Sequence, residues 1–295
     1  MKPIRTVLTL LTLALAPQLH AAATPAADDI MAKVDRVMRK SYRTQLANVK
    51  ITTCKYAQTA SGVRCTEKPR VVLAENAKRV AEQGGLYSEK SLLIVREPAS
   101  DRGTSLLVYE YAERGKDNDN WLYLPALGKV NRVIASDDEG GSVFGSEFSV
   151  ETTENPEARK IYEYTYRIVE ETALQGRPVW LVEMLPTAEK ARRTRYGKVL
   201  AWVDQETYIP LKEELYRNGK LHKQRIQSDI KPVDGVLMAA KVVVNNLTTS
   251  RLSQMDRIAM RHNTEVPDEF LGQRALTDFS FRERNLARFR ADLKQ

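Results

Sequence analysis

Nine short segments rich in β-branched and aromatic residues follow one another at near-regular spacing, and no other feature constrains the fold as tightly. They are Ser91–Val95, Ser105–Tyr111, Trp121–Leu124, Ile161–Glu170, Val179–Leu185, Val199–Asp204, Leu211–Arg217, Lys220–Asp229 and Val236–Asn245. Turn pairs separate several of them: Arg102-Gly103, Gln175-Gly176, Asn218-Gly219 and Asp234-Gly235. Asn218-Gly219 is the clearest hairpin signal, because both residues tolerate the left-handed backbone that a tight turn requires. Such a succession predicts a large antiparallel sheet curled toward a barrel, in a mainly β (α+β) fold with few helices.

Two segments have helical periodicity. From Asp28 to Tyr42, the residues Ile30, Val34, Val37 and Met38 share one face, with Lys33, Arg36 and Arg39 opposite. Asp28 and Asp29 stand where an N-cap and the positive end of the helix dipole favour acids. Phe281–Lys294 reads as a basic amphipathic helix with Leu286, Phe289 and Leu293 on one side, so residues 281–295 are expected to form a basic helical tail. Residues 71–84 fit helix or edge strand equally. No internal repeat or long linker divides the chain, so residues 24–295 are expected to form one domain.

The N-terminus has the layout of a secretory leader. Lys2 and Arg5 precede the apolar stretch Val7–Ala16, Pro17 breaks it, and Ala21-Ala22-Ala23 supplies small residues for cleavage. A bilayer-spanning helix needs about 20 apolar residues, more than this stretch offers. Residues 1–23 are therefore expected to be a signal peptide cleaved near Ala23, placing a protein that does not span the membrane in the periplasm. The whole chain has 46 basic and 38 acidic residues. Losing Lys2 and Arg5 leaves a mild positive excess, which suits anionic headgroups or an acidic partner and is no signature of nucleic-acid binding.

The two cysteines, Cys54 and Cys65, flank a turn at Ser61-Gly62 between the strand-like runs Thr53–Tyr56 and Val63–Thr66. A cross-strand disulfide fits that arrangement and an oxidising compartment. A redox pair is the alternative, but the spacing is not C-x-x-C.

Motifs for catalysis are missing. His222 follows the Asn218-Gly219 turn, where it is expected to be exposed, and His262 lies in a polar stretch. Neither has a partner at metal-ligand spacing. The run from Gly140 to Ser146 lacks the Gly-Lys-Ser/Thr of a phosphate loop and the G-x-S-x-G of a nucleophile elbow. Asp137-Asp138-Glu139 reads as a solvated loop. The expectation is a non-enzymatic protein with no metal and no cofactor.

Several strands are apolar on both faces. Trp180, Val182 and Met184 share one face of their strand while Val179 and Leu181 occupy the other, and the strands holding Leu106 and Val108 and Leu92–Val95 behave alike. A sheet with one solvated face would alternate more cleanly. Both faces need cover, by a packed core or by a cavity that takes an apolar ligand.

Trp121-Leu122-Tyr123-Leu124-Pro125-Ala126-Leu127 followed by Phe144-Gly145-Ser146-Glu147-Phe148-Ser149 resembles the LolA/LolB-like family of outer-membrane lipoprotein-sorting proteins. The branch it most resembles accompanies RND/MmpL-type lipid exporters. Arg102-Gly103-Thr104, Val203-Asp204 with Thr207-Tyr208-Ile209-Pro210, Val233-Asp234-Gly235 and Val266-Pro267-Asp268 extend the resemblance over most of residues 28–280.

That resemblance implies a half-open antiparallel β-barrel wrapped around helices, with an apolar cavity for acyl chains. It implies a soluble carrier of phospholipid, fatty acyl chain or lipoprotein, working with an inner-membrane RND/MmpL-type transporter. The alternatives are a strict lipoprotein chaperone, or a lipid-sensing or partner-binding module that transports nothing. Trp121, Tyr123, Phe144 and Phe148 are the candidates for the cavity mouth, with ordinary strand packing as the other reading of Trp121 and Tyr123. Leu106, Val108, Trp180, Val182 and Met184 are candidate wall residues; Ile30, Val34, Val37 and Met38 either line the cavity or form a plain core stripe. The loop from Gly140 to Ser149 is too apolar to hang free and is expected to fold over the barrel as a lid. Arg192, Arg193 and Arg195, with Lys190 and Lys198, are candidates for contact with headgroups or a partner, or are solvated hairpin charge.

Overall fold

The computed structural model describes residues 25–60, 62–81, 85–134 and 141–294. The expected leader, Ser61, Asp137-Asp138-Glu139 and Gly140 lie outside the described residues. The chain opens with helix α1 (Ala27–Arg39), then β1 (Thr44–Thr59), β2 (Gly62–Cys65), β3 (Arg70–Val80), β4 (Tyr87–Glu97), β5 (Ser105–Tyr111), β6 (Asp119–Leu124) and β7 (Lys129–Val133). After a long connection come β8 (Tyr164–Leu174), β9 (Arg177–Pro186), the short helix α2 (Ala188–Ala191) and β10 (Lys198–Asp204). The chain continues with β11 (Pro210–Arg217), β12 (Lys220–Val233), β13 (Val236–Asn246) and β14 (Arg251–His262), and finishes with α3 (Arg274–Thr277) and α4 (Phe279–Asp292).

The strands form one antiparallel sheet in the order β7-β6-β5-β4-β3-β1-β14-β13-β12-β11-β10-β9-β8, with β2 paired to β1 off this path. Two meanders thus meet at β1, which pairs with β3 on one side and β14 on the other. The end strands β7 and β8 are not neighbours, so the barrel is half open. The Asn218-Gly219 turn forms as expected: both residues have positive φ, and Arg217 pairs with Lys220. Cys54 and Cys65 are disulfide-bonded, tying β2 to β1.

Some expectations need correcting. Of residues 71–84, those up to Val80 are neither helix nor edge strand, and 82–84 lie outside the described residues: β3 is interior, with Val72 and Ala74 buried on one face and Glu75 and Ala77 on the other. Ile161–Glu163 is a single 3-10 turn, and β8 begins at Tyr164. Helix α1 stops at Arg39 and is preceded by Ala26, with no side-chain cap; Asp28 and Asp29 act from its first turn through the dipole. The helix expected from residue 281 onward forms as part of α4, and it is packed on the sheet. Helix α4 buries Phe281, Leu286 and Phe289 against Phe270, Leu271 and Leu276 over the sheet residues Leu46, Ala77, Leu92, Ile94 and Leu107. Arg290, on its other side, forms a bidentate pair with Glu75 at 2.6 and 2.7 Å.

The sheet therefore has an outer face covered by α3 and α4 and an inner face shared by α1 and the connection between β7 and β8. Among the described residues, no helix is long and apolar enough to cross a membrane.

Candidate functional site

The inner face is built from alternate residues of neighbouring strands. Ala47 and Val49 on β1, Leu93 on β4, Leu106 and Val108 on β5, Val244 on β13 and Met255 on β14 supply apolar wall. They surround a cavity of about 200 Å³. The rest of its wall includes Leu215 and neutral polar groups such as Gln45, Asn76 and Asn155, and it carries a set of charges: Lys78 on β3, Glu89 on β4, Lys223 and Arg225 on β12, Arg257 on β14, and Glu154 and Glu157 from the connection after β7.

That connection covers the cavity. Ser142 and Ser149 form an isolated antiparallel bridge, and Val143 N donates to Phe148 O at 2.8 Å, so residues 141–150 fold back on themselves. Phe144 and Gly145 turn the chain with positive φ. Gly141 also has positive φ, and a Cβ there would stand 2.5 Å from Val150 Cγ2, so the position admits only glycine without rearrangement. Val143 and Phe148 point into the cavity, and Phe148 is only 8% exposed among Ile51, Val72, Val95, Val242 and Val244.

Polar ties hold the cover down. Arg70 donates to the Phe144 carbonyl while pairing with Asp101. Glu147 N donates to Ser253 Oγ at 2.8 Å, its carboxylate accepts from Asn246 at 2.8 Å and from Arg251 at 2.9 Å, and Lys223 donates to its carbonyl at 3.0 Å. Further along, Glu154 pairs with Lys223 at 2.7 Å and accepts from Tyr196 OH at 2.7 Å. Glu157 pairs with Arg257 at 2.5 Å, and Arg159 with Glu213 at 2.7 Å.

These pairs set the protonation of the wall. Burial alone would raise the Glu157 carboxyl, yet Arg257, Lys78 and Arg225 together hold it down to about 2. Burial raises Glu89, with Lys78 at 2.9 Å opposing. His262 does not sit in a solvated stretch. It is buried on β14 between Gln45 and the Val233 carbonyl, and burial lowers its pKa. His222 is half-buried, with Nδ1 2.8 Å from Thr248 Oγ1.

The residues singled out from the sequence separate into three groups. Leu106, Val108 and Phe148 come together at the cavity, with Phe144 packed beside them. Ile30, Val34 and Met38, with Val37 at the edge, pack on Trp180, Val182 and Met184 in a closed core beneath α1; this is the core-stripe alternative rather than the cavity one. Trp121 and Tyr123 face outward under α4, not at the cavity mouth. Trp121 meets Tyr109 edge-on at 4.8 Å, and Tyr123 borders a cleft with Arg282 and Arg290.

The basic run is largely committed within the fold. Lys190 is buried against Glu163 at 3.0 Å, and Arg193 pairs with Asp117 at 2.8 Å and with Glu163 and Glu189. Arg195 lies 3.8 Å from Glu154 and borders a surface groove with Arg217, His222 and Arg251. Arg192 is exposed at the end of α2.

The charged wall was missed by sequence reasoning. Lys223, Arg225 and Gln227 alternate along β12 and are all buried, yet their period of two is also what a solvated face would show. Among the described residues there is no group of three or more His, Cys, Asp or Glu placed to hold a metal ion.

A family model described as "-like: Uncharacterized protein" matches residues 87–278. No curated protein matches by sequence. Among solved structures, a DUF1329 family protein from Desulfovibrio piger superposes with a TM-score of 0.74 at 22% identity, over 84% of this chain and 97% of that one. A domain from Vibrio parahaemolyticus, provisionally ascribed to outer membrane lipoprotein sorting, gives 0.70 at 24% identity over 85% and 98%. A LolA superfamily protein from Nitrosomonas europaea gives 0.60 at 19% identity over 84% and 98%. At these identities the structures establish a shared fold.

Proposed function

The chain belongs to the family whose model matches residues 87–278 and shares its fold with a LolA superfamily protein; we propose that it is a periplasmic carrier that takes the acyl chain of a lipid or lipoprotein into the cavity beneath residues 141–157. It hands that cargo between membranes, or to and from an inner-membrane RND/MmpL-type exporter. The observation that carries this reading is the cavity itself, apolar at Ala47, Val49, Leu93, Leu106 and Val108 and covered by Val143 and Phe148.

The energetics suit a shuttle. Burying a chain of ~16 carbons at about 0.8 kcal/mol per methylene removes on the order of 13 kcal/mol of aqueous exposure. A chain in a bilayer is equally out of water, so pick-up and release stay near balance without nucleotide or metal. The cavity of about 200 Å³ is smaller than the roughly 300–1,000 Å³ of sites that enclose a whole small molecule. A full-length chain therefore requires the cover to shift, and its attachments at Glu147 and Phe144 would part when it does. Arg192 and Arg195 are the proposed contacts for headgroups or the transporter, and Arg195 borders the groove lined by Arg217 and Arg251.

Native mass spectrometry of the protein after exposure to phospholipid vesicles tests the reading. One acyl-bearing ligand per chain is expected; a protein that remains ligand-free would leave the lipid-carrier reading without support.

A further inference from the structure

Arg225 stands apart from the other charges of the cavity wall. Lys78 is 2.9 Å from Glu89, Arg257 2.5 Å from Glu157, Lys223 2.7 Å from Glu154, and Arg159, just behind the wall, 2.7 Å from Glu213. Arg225 is 6% exposed and lines the cavity, but among the described residues its guanidinium has neither a hydrogen bond nor an ion pair. Its Nε is enclosed with no acceptor. Glu213 faces it across the β11–β12 ladder, but its Oε1 is engaged by Arg159 and its buried Oε2 makes no hydrogen bond to the Arg225 guanidinium. Five cations thus meet four carboxylates, and the surplus charge is buried at the cavity.

A buried charge without a partner is costly, and a guanidinium is the side chain best shaped to take a carboxylate or phosphate through two parallel hydrogen bonds. Burial pushes Arg225 below the ordinary arginine value, with repulsion from Arg257 and Arg159 adding to it against Glu213 and Glu157. A bound anion would relieve both effects. The apolar wall at Leu106, Val108 and Phe148 continues from the same cavity.

Resting on the carrier reading above, we propose that Arg225 receives the anionic head of the cargo. The preferred ligand is then an acyl amphiphile with a compact carboxylate or phosphate head, bound head-inward with its chain along the apolar wall. Neutral amphiphiles of equal chain length fit the wall but leave Arg225 unpartnered.

Calorimetric titration of the full chain with palmitate, hexadecanol, hexadecyl phosphate and inorganic phosphate tests this. Palmitate and hexadecyl phosphate are expected to bind at least about tenfold tighter than hexadecanol, as charge-assisted hydrogen bonds to a buried cation imply. Arg225→Met should abolish that preference while keeping the hexadecanol affinity, and Arg225→Lys should retain part of it. Equal affinity for palmitate and hexadecanol in the natural protein, or a preference that survives Arg225→Met, overturns the assignment and leaves the carrier reading standing. Binding of none of the four overturns both. Inorganic phosphate binding as tightly as palmitate overturns the amphiphile head in favour of a free-anion site. Should Arg225→Met fail to fold, the comparison of palmitate with hexadecanol on the natural protein and on Arg225→Lys still decides.

Discussion

Asn246 Nδ2 donates to Glu147 Oε2 at 2.8 Å, joining the cover of the cavity to the end of β13. Both residues are buried, so this tie is shielded from competing water. The cover is consequently a packed element with polar anchors, and its two phenylalanines differ in what they contribute.

Phe148→Ala is expected to cost about 3–5 kcal/mol of stability, the range for emptying a packed aromatic site. Phe144 is half-buried and should cost less. Its φ of 52° also predicts that Phe144→Gly is better tolerated than Phe144→Ala, by about 1 kcal/mol. Urea denaturation of the three variants checks the order. A Phe148→Ala protein as stable as the parent would return the segment to the role of a loose lid.

Acid stability should depend on Glu157. Its folded-state pKa of about 2 lies below the ordinary 4.5. Its contribution is therefore fully present above pH 4.5 and is lost as pH falls toward 2. Glu157→Gln should be less stable at neutral pH, because Arg257 and Lys78 lose a partner, and its stability should fall less steeply between pH 4.5 and 2. Denaturation curves for both proteins across that window that run parallel would rule out this origin of the acid sensitivity.

The Cys54–Cys65 bond predicts no free thiol in purified protein, whether folded or unfolded in urea. Its reduction should remove roughly 2.5–3 kcal/mol, as expected for so short a loop. Thiol labelling that finds two reactive cysteines in unreduced protein would contradict the bridge.

Helix α4 is part of the core. Phe289 meets Phe270 edge-on at 5.0 Å and is almost fully buried. Phe289→Ala should destabilise by about 3–5 kcal/mol, and calorimetric melting is the check; an unchanged transition would mean that the helix is a dispensable tail.

Strand periodicity and turn chemistry made most of the sheet legible in advance, because β4–β6 and β9–β13 alternate or carry Gly at their ends. β14 escaped notice because its inner residues include Ser253 and Arg257, and a polar inner face looks like a solvated one. The same ambiguity hid Lys78, Arg225 and Arg257. Alternation separates the two faces of a strand without saying which one is enclosed. For Trp121 and Tyr123 the sequence leaves the cavity mouth and ordinary strand packing open for a related reason, and they pack. Only the packing of α4, more than 140 residues later in the chain, decides what covers them. Leu106 and Val108 as wall and Phe148 as cover were legible separately, because apolar residues on both faces of β5, and in a Gly-bounded loop, leave few places to go.

The most direct test of the central claim is photo-crosslinking of a diazirine-bearing fatty acid to the purified protein, with labelled peptides mapped by mass spectrometry. Label is expected on the inner-face peptides that hold Leu93, Leu106, Val108, Val143, Phe148 and Met255. Label confined to the outer cleft under α4, or scattered over exposed surface, would contradict the assignment of this cavity as the acyl-chain site.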